Sequence, residues 1–390
     1  MGPNQKVVGA NAERSRSHNR QMVLDRVRLA GRIGRAEVAR GTGLSTQAVS
    51  NIIADLLSDG LIRECGRLAS VRGQPPVQYG LNPAGGYAVG VEIRPDAIFA
   101  AVLDLTGAPV ATSRQALRAG DLRGVTEAVR GATTAILKSA RVPEERALGV
   151  GIVMPGPFGR TGLSETGSAL PIFQEVAPAE WFLQALGLPV VVENDANAAA
   201  VAERVAGVAR GLESYAYLYF GNGLGLGIVE QGRLFAGAFG NSGEIGHVPV
   251  MAGGHSVPLE SVLSRLSVQR YMQEAGANID SSEGLAAAFA SRDARLMAWL
   301  ERAAEPLSNA ITIIENMLDP EAIILGGAMP DAIFDHLIAH AVLAEQSVAQ
   351  RPNRSAPRLL RGHSGPLTGT LGAAALVINR AFTPRIAAAT

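Results

Sequence analysis

Apolar residues first recur at helical spacing at Met22, Val23, Val27 and Ala30, which predicts a helix over residues 19–30. Gly31 and Gly34 interrupt it. Arg35 to Arg40 reads as a short second helix with Val38 and Ala39 inward, and Gly41 to Leu44 as a turn. Ser45 is placed to cap a third helix from Thr46 to Ser58, whose inward stripe is Val49, Ile52, Ile53, Leu56 and Leu57. Gly60 ends it. Leu61 to Glu64 and Gln78 to Leu81 are strand-like, and the loop RLASVRGQPPV lies between them. Asn82-Pro83 and Gly85-Gly86 mark a boundary. Beyond it the pattern changes. YAVGVEIR and AIFAAVLDLTG read as a hairpin, residues 121–139 as a helix, and ALGVGIVMPGP as a buried strand ending in a rigid turn. AEWFLQAL is helical, LPVVVEND is a strand feeding the helix ANAAAVAERVAG, and YAYLYFGNGLGLGIVEQGRLF is strand, glycine turn, strand. Helices fill most of 259–317, EAIILGG is another buried strand, and TGTLGAAALVINRAF is a final helix. Strands alternating with helices, with hairpins among them, predict an α/β protein with mixed sheets in two lobes.

The chain is 390 residues long, enough for two to four structural units, and 47% hydrophobic, which excludes global disorder. No apolar run reaches the ~18–20 residues that a bilayer crossing needs. The opening segment, MGPNQKVVGANAERSRSHNR, has no apolar core after its positive charges, so no signal peptide is expected and the location expected is cytoplasmic. A single cysteine, Cys65, excludes an intrachain disulfide framework and a cysteine-cluster metal site. The net charge of zero hides an asymmetry: residues 1–82 hold twelve basic against six acidic groups, and the remainder holds 23 against 29. A basic head on an acidic body points the head alone at a polyanion.

The second and third helices with their turn have the layout of a helix-turn-helix. Thr46, Gln47, Ser50 and Asn51 lie on the outward side of the third helix, where glutamine and asparagine side chains can bond an adenine edge in the major groove. Arg35 and Arg40 are placed to meet phosphates, and Arg67 and Arg72 flank a proline-stiffened loop suited to a minor-groove wing. The competing reading is a three-helix bundle with a solvated polar face; the local positive charge weighs against it.

In the body, GNGLGLG does not open a helix as a dinucleotide fingerprint must, so it reads as a tight hairpin whose N–H groups can approach an anion or a sugar. VVVENDANAAA places Asn194 and Asp195 at the carboxyl end of a buried strand, where open α/β sheets hold ligands. Asp195 can hold a hydroxyl or take its proton, and Asn194 can donate and accept; the plain alternative is that either residue is only a helix cap. GNSGEIGHVPV presents Glu244 and His247 from a glycine-interrupted loop, and Glu260 joins them from the start of a helix. A lone His-Glu pair is a weak metal signal.

From about residue 15 to 382 the chain resembles the ROK family of repressors, open reading frames and sugar kinases, in its transcriptional-regulator branch. The resemblance is carried by GRAEVARGTGLSTQAVSNIIADLLSDGLI, RGQPPVQYGLNP, GIVMPGP, VVVENDANAAAVAE, FGNGLGLGIVEQGRLFAGAFGNSGEIGHVPV, NMLDPEAIILGG and GPLTGTLGAAAL, in family order. It implies an N-terminal winged helix-turn-helix DNA-binding domain over 15–82. It implies a two-lobed, actin-like sugar-kinase body over 86–390 that closes over a sugar. By the same resemblance Asp195 would be the base in a kinase, and Asn194, Glu244, His247 and Glu260 would contact the sugar. The chain departs from the family twice. Where its kinases carry a DxGGTK phosphate loop, this chain has Glu92-Ile93-Arg94-Pro95-Asp96, and Asn222 stands where the kinases usually have threonine. Where many members carry zinc-binding cysteines, this chain has MAGGHSVPLES, so no metal and no cofactor is expected; His255 is a poor substitute ligand.

These readings together lead to an expected non-enzymatic regulator of transcription, most simply a repressor. Its partners would be double-stranded operator DNA bound through Arg35, Arg40, Ser45, Thr46, Gln47, Ser50, Asn51, Arg67 and Arg72, a sugar or sugar phosphate bound at the five body residues, and a second copy of itself in a dimer or tetramer. The alternatives are an ATP-dependent sugar kinase carrying a DNA-binding head, and a DNA-binding protein whose body only dimerises.

Overall fold

The computed structural model describes residues 5–67, 76–158, 161, 170–173, 176–252 and 254–383. The head opens with α1 (Gln5–Ala30), continues through β1 (Ile33–Gly34), α2 (Arg35–Thr42) and α3 (Thr46–Ser58), and closes with β2 (Ile62–Arg67) and β3 (Val77–Leu81). The third helix has the predicted bounds, and Ser45 caps it by accepting a hydrogen bond from the Ala48 N–H at 3.2 Å. Of the predicted stripe, Val49, Ile53 and Leu56 are buried, and Ile52 and Leu57 are half-buried. The short strand β1 was not foreseen: Ile33 and Gly34 pair with Tyr79 and Gln78, so the three strands run in the order β1-β3-β2. Two residues are too few to show an alternating pattern.

The body is the same topology built twice. The first unit is β4 (Tyr87–Ile93), β5 (Ala97–Asp104), β6 (Pro109–Ala116), α4 (Leu122–Ser139), β7 (Ala147–Val153), α5 (Pro178–Leu186), β8 (Val190–Glu193) and α6 (Asp195–Ala206). The second is β9 (Tyr215–Phe220), β10 (Leu224–Glu230) and β11 (Arg233–Leu234), then the hairpin β12 (Pro249–Ala252) and β13 (His255–Pro258). It continues through α7 (Arg265–Glu274), α8 (Ser282–Ala290), α9 (Ala294–Leu318), β14 (Ala322–Gly327), α10 (Asp331–His340), β15 (Leu359–Ser364) and α11 (Thr368–Phe382). The strand orders are β6-β5-β4-β7-β8 and β11-β10-β9-β14-β15. In each sheet three antiparallel strands are followed by two parallel ones, so the predicted mixed sheets and two lobes are present.

The last helix of each unit leaves its own sheet. α11 packs on β4 and β7 of the first unit, and α6 packs on β9 and β10 of the second. Both crossings need strands without side chains at the contact. A side-chain carbon on Gly151 would fall 1.7 Å from the Ala373 carbonyl oxygen, and one on Gly227 would fall 2.5 Å from that of Ala196. Any larger residue there must push the helix off the sheet. The two swapped helices also pack on each other, which joins the lobes through the floor of the cleft between them.

The head does not hang on a linker. Val27, Ile53, Leu56 and Tyr79 belong to one continuous apolar core with Leu105, Val201, Val205, Ile378 and Phe382 of the body. Arg28, only 4% exposed, is the polar centre of that seam. Its guanidinium pairs with Asp25 at 2.7 Å, donates to the Arg204 carbonyl at 2.8 Å and lies over the Phe382 ring. Its own carbonyl accepts from Arg210. On the other flank Arg146 donates to the carbonyls of Asp59 and Gly85.

Candidate functional site

The strand β8 ends at Glu193, and the chain turns directly into α6. Asn194 is the cap of that helix: its Oδ1 accepts from the Asn197 N–H at 2.8 Å. The capping alternative therefore holds for half of this side chain, and its Nδ2 group remains for a ligand. Asp195 is the first residue of the helix. Its Oδ1 accepts from the Ala196 N–H at 3.0 Å, and its other oxygen faces the hairpin, 3.4 Å from where a side-chain carbon on Gly221 would lie. The Tyr219 ring lies nearer still to that position, at 2.7 Å, so the carboxylate and the ring face each other across the glycine.

The remaining members arrive from the second lobe. Gly156, in the turn after β7, lies between Asn194 and Glu244; a side-chain carbon there would be 3.5 Å from a Glu244 carboxylate oxygen and 3.9 Å from Asn194 Cβ. The loop that carries Glu244 is tied to that turn by Asn241, which accepts from the Phe158 N–H and donates to the Phe158 carbonyl. His247 Nε2 stands 3.7 Å from Glu244, on the rim. Glu260 lies in a single 3-10 turn, Leu259–Ser261, rather than at the start of a helix; the next α-helix begins at Arg265. The reason is local: Pro258 holds an extended backbone before the turn, and the helix waits for the Ser264–Ser267 capping box. A Glu260 oxygen sits against the glycines of the hairpin, 2.4 Å from a side-chain carbon placed on Gly223. Asn194, Asp195, Glu244, His247 and Glu260 thus meet in one cleft.

Burial and neighbouring carboxylates raise two of these acids. Asp195 is pushed up to about 6, first by burial and then by Glu92 and Glu244. Part of its side chain still meets the cleft, so water in the cleft offsets some of that penalty. Burial also raises Glu244; Glu260 adds to the rise and His247 opposes it. Such a cluster accepts hydrogen bonds from several hydroxyls at once and holds its charge at a cost that a bound polyol relieves.

The cleft contains four residues that the site prediction missed. Glu92 is the penultimate residue of β4 and accepts from Thr370 Oγ1 of α11 at 2.7 Å. Arg94 binds Glu92 through Nε at 2.7 Å, donates to the Pro366 carbonyl and covers the Phe99 ring. Arg265, at the first turn of α7, donates from its main chain to Gly221 O and from Nη2 to Asn222 Oδ1 at 2.7 Å. Tyr219 lies among Asp195, Glu92, Arg94 and Arg265; burial, then the two carboxylates, holds its hydroxyl far above its ordinary value. No local sequence signal joins Arg94 to Arg265, which are 171 positions apart.

On the head, Gln47 and Asn51 are exposed and hydrogen-bonded to each other through Gln47 Nε2 and Asn51 Oδ1 at 3.1 Å. Thr46 beside them is exposed, Ser50 is half-buried, and the Ser45 hydroxyl is spent on the cap. Arg40 is exposed at the end of α2, and Arg67 is exposed at the end of β2. Arg35 is packed over the Tyr79 ring at 5.3 Å. Arg72 lies outside the described residues. Among the described residues, no three His, Cys, Asp or Glu side chains cluster as metal ligands, and no helix is long and apolar enough to cross a membrane.

A duplicated α/β unit, a swapped helix in each lobe and a cleft lined by Asn194, Asp195, Glu244, His247 and Glu260 define a two-lobed body of the sugar-kinase type. The ROK family profile matches residues 88–380, and the chain belongs to the ROK family. Over most of its length it is similar to the xylose repressor of Bacillus spizizenii (strain ATCC 23059 / NRRL B-14472 / W23). The two are 24% identical over 369 residues, covering 92% of this chain and 94% of that protein. Its structure is similar to that of a ROK family transcriptional regulator, a homolog of the E. coli MLC protein. That match has a TM-score of 0.70 and 23% identity, covering 95% of this chain and 97% of the other. The ROK hexokinase from Thermus thermophilus matches at a TM-score of 0.57 and 27% identity. That match covers 97% of the hexokinase but 74% of this chain.

Proposed function

We propose that this protein is a sugar-responsive transcriptional regulator, in its simplest form a repressor. Residues 15–82 act as a winged helix-turn-helix on double-stranded operator DNA, and the body from residue 86 acts as the sensor. The observation that carries the reading is the single apolar core that runs from α3 to α11 and the C-terminal half of α6, because α6 begins at the cleft with Asn194 and Asp195. A ligand held at that end of α6 acts on the same rigid element on which the head rests. A relative whose alignment takes in both head and body, a protein named as a xylose repressor, supports the same reading.

On operator DNA, α3 lies in the major groove with Thr46, Gln47 and Asn51 toward base edges; Arg40 and Arg67 lie toward phosphates, and Ser45 serves the helix rather than the DNA. A homodimer places two such helices on a near-palindromic site. Replacing Gln47 with alanine is expected to weaken operator binding by about 1–3 kcal/mol and relax base preference at one position per half-site. Replacing Arg40 with alanine is expected to weaken all sequences alike and lower the salt slope by about 1. Competition binding against a randomised operator series checks both.

Phosphoryl transfer is not part of this reading. A kinase needs an open turn for the nucleotide phosphates, whereas here the turn after β4 closes tightly, Arg94 N–H to Ala97 O, and Pro95 supplies no N–H. Asp195 then serves as a hydroxyl acceptor. The test is selection of genomic fragments by the purified full-length protein, followed by titration of the complex with sugars and sugar phosphates at fixed salt. Release or tightening of a specific fragment by one sugar is expected. Absence of any sequence-specific binding overturns the proposal, and sugar-dependent release of ADP from ATP would replace it with a kinase.

A further inference from the structure

A cavity of about 530 Å³ opens on the seam between head and body, at the end of α6 that lies away from the sugar cleft. Its walls are α1, the last turn of α6, the tight turn between β10 and β11, and Thr383 after α11. Charges of both signs line it: Asp25, Glu213 and Glu230 against His18, Arg204 and Arg233. Leu234 and Phe235 add an apolar wall, and Phe235 is half exposed. Arg204 is only 7% exposed and donates through Nη1 to the Leu212 carbonyl at 2.9 Å. Its Nε is buried and has no acceptor. Among the described residues no carboxylate pairs with it, although Glu213 comes near. A side-chain carbon on Gly232 would fall 2.6 Å from Arg204 Nη2 and 3.2 Å from Glu213 Oε2, and the turn holds this glycine at φ +74°. Guanidinium and carboxylate therefore flank the cavity side by side over bare backbone. Across from them on α1, Asp25 spends Oδ1 on both of its bonds from Arg28, at 2.9 and 2.7 Å, which leaves Oδ2 without a partner.

A buried donor without an acceptor costs free energy that a fitting acceptor recovers. A bare anion does not fit, because three carboxylates line the same space. A bare cation leaves the Arg204 guanidinium unserved. Walls of both signs are matched by one small molecule that joins an acceptor oxygen to an ammonium group. The apolar wall takes a hydrocarbon side chain, and the volume is that of an ordinary small-ligand pocket. We propose that this cavity is a second ligand site, for a zwitterionic amino acid with an apolar side chain. Its carboxylate lies on Arg204, its ammonium among Asp25, Glu213 and Glu230, and its side chain against Leu234 and Phe235. Such a ligand touches α1 and the body together, so it fastens the head to its seat from outside the sugar cleft. None of the five residues assigned to the sugar lines this cavity, so the site stands apart from whatever the cleft binds.

Calorimetric titration of the full-length protein tests this with L-leucine, L-methionine and L-phenylalanine, with the amines left by removing their carboxyl groups, and with the acids left by removing their amino groups. At least one amino acid is expected to bind about 10-fold or more tightly than both its amine and its acid, the size of one charge-assisted hydrogen bond. Arg204→Lys keeps the charge and a donor for the Leu212 carbonyl but has no Nε, and affinity is expected to fall about 10-fold. Glu213 and Glu230 are exposed, so the double variant Glu213→Gln, Glu230→Gln folds whether or not Arg204→Lys does, and it should lose affinity by a similar factor. Asp195→Asn should leave amino-acid binding in place. No binding of any of the three amino acids overturns the proposal. An amine that binds as tightly as its amino acid overturns it in favour of a plain cation site, and an acid that does so overturns it in favour of a plain anion site. Affinity unchanged in the double variant overturns it, and binding abolished by Asp195→Asn does so by moving the ligand to the cleft.

Discussion

Asp195→Asn is expected to make the protein more stable at neutral pH and unable to respond to its sugar. The wild-type carboxyl titrates at about 6, above its ordinary 3.8, because burial, Glu92 and Glu244 disfavour its charge. The folded state therefore binds this proton more tightly than the unfolded state. That contribution to stability is fully present below the ordinary carboxylate value and is lost as pH rises through about 6. Two units of displacement correspond to ~3 kcal/mol, and contact with water in the cleft reduces this to about 1–3 kcal/mol. Asparagine keeps the hydrogen bond from the Ala196 N–H, fills the same volume and cannot ionise. Melting curves of the two proteins should nearly coincide below pH 3.8 and separate progressively to pH 7.5, with the variant higher by roughly 2–6 °C. The same substitution removes a charged hydrogen-bond acceptor from the sugar hydroxyl, and sugar affinity should fall by about 1.5–3 kcal/mol. A pH-independent offset between the two curves would show that Asp195 carries no stored electrostatic cost. A stability gain on losing a functional carboxylate marks residues held in place for binding rather than for folding.

Local features of this fold were readable in the sequence to the residue. The bounds of α3, its Ser45 cap and its buried stripe follow from helical spacing and capping chemistry that act within one turn. The strand-to-helix turn at Asn194-Asp195 was equally visible, because three consecutive valines and an Asn-Asp pair need no distant partner to be interpreted. The features that were not visible depend on distant segments. β6 was missed because seven of its eight residues are exposed, so it shows no apolar alternation. The crossing of α6 and α11 between lobes rests on glycines such as Gly151 and Gly227, whose purpose appears only when a helix backbone lies against them. Arg35 reads as a phosphate contact from its position on α2; that a strand 44 residues later puts Tyr79 beneath its exposed guanidinium is not legible there. The meeting of Arg94 with Arg265 is of the same kind. Periodicity finds elements and motif spacing finds sites, but the pairing of like charges across a cleft is a property of the closed fold.

Loss of the Arg28 side chain is expected to separate the two binding functions while leaving each in place. Arg28 sits on the last turn of α1, and its partners lie on both sides of the seam: Asp25 in the head, and the Arg204 carbonyl and the Phe382 ring in the body. Arg204 is near the end of α6 and Asn194 caps its beginning, so the twelve-residue helix spans ~18 Å from the sugar cleft to the head. A packed helix shifts as a unit, so movement at its first turn reaches Arg204 without a chain of intermediate side chains. Arg28→Ala removes a guanidinium that grips that end. It also leaves Asp25 without its cation in a seam where Asp25 is 22% exposed, and breaking a pair so placed is expected to cost about 2–4 kcal/mol. The folded variant should bind operator and sugar separately. The sugar-induced change in operator affinity should shrink to within about twofold, because a ligand moves an equilibrium only through contacts that differ between its two states. Arg28→Lys keeps the charge but cannot fork to Asp25 while donating to the Arg204 carbonyl, so it should restore stability more than coupling. Operator titrations with and without saturating sugar, on all three proteins at one salt concentration, measure the coupling directly. A full sugar response in Arg28→Ala would place the route elsewhere, in lobe closure transmitted across a dimer rather than along α6.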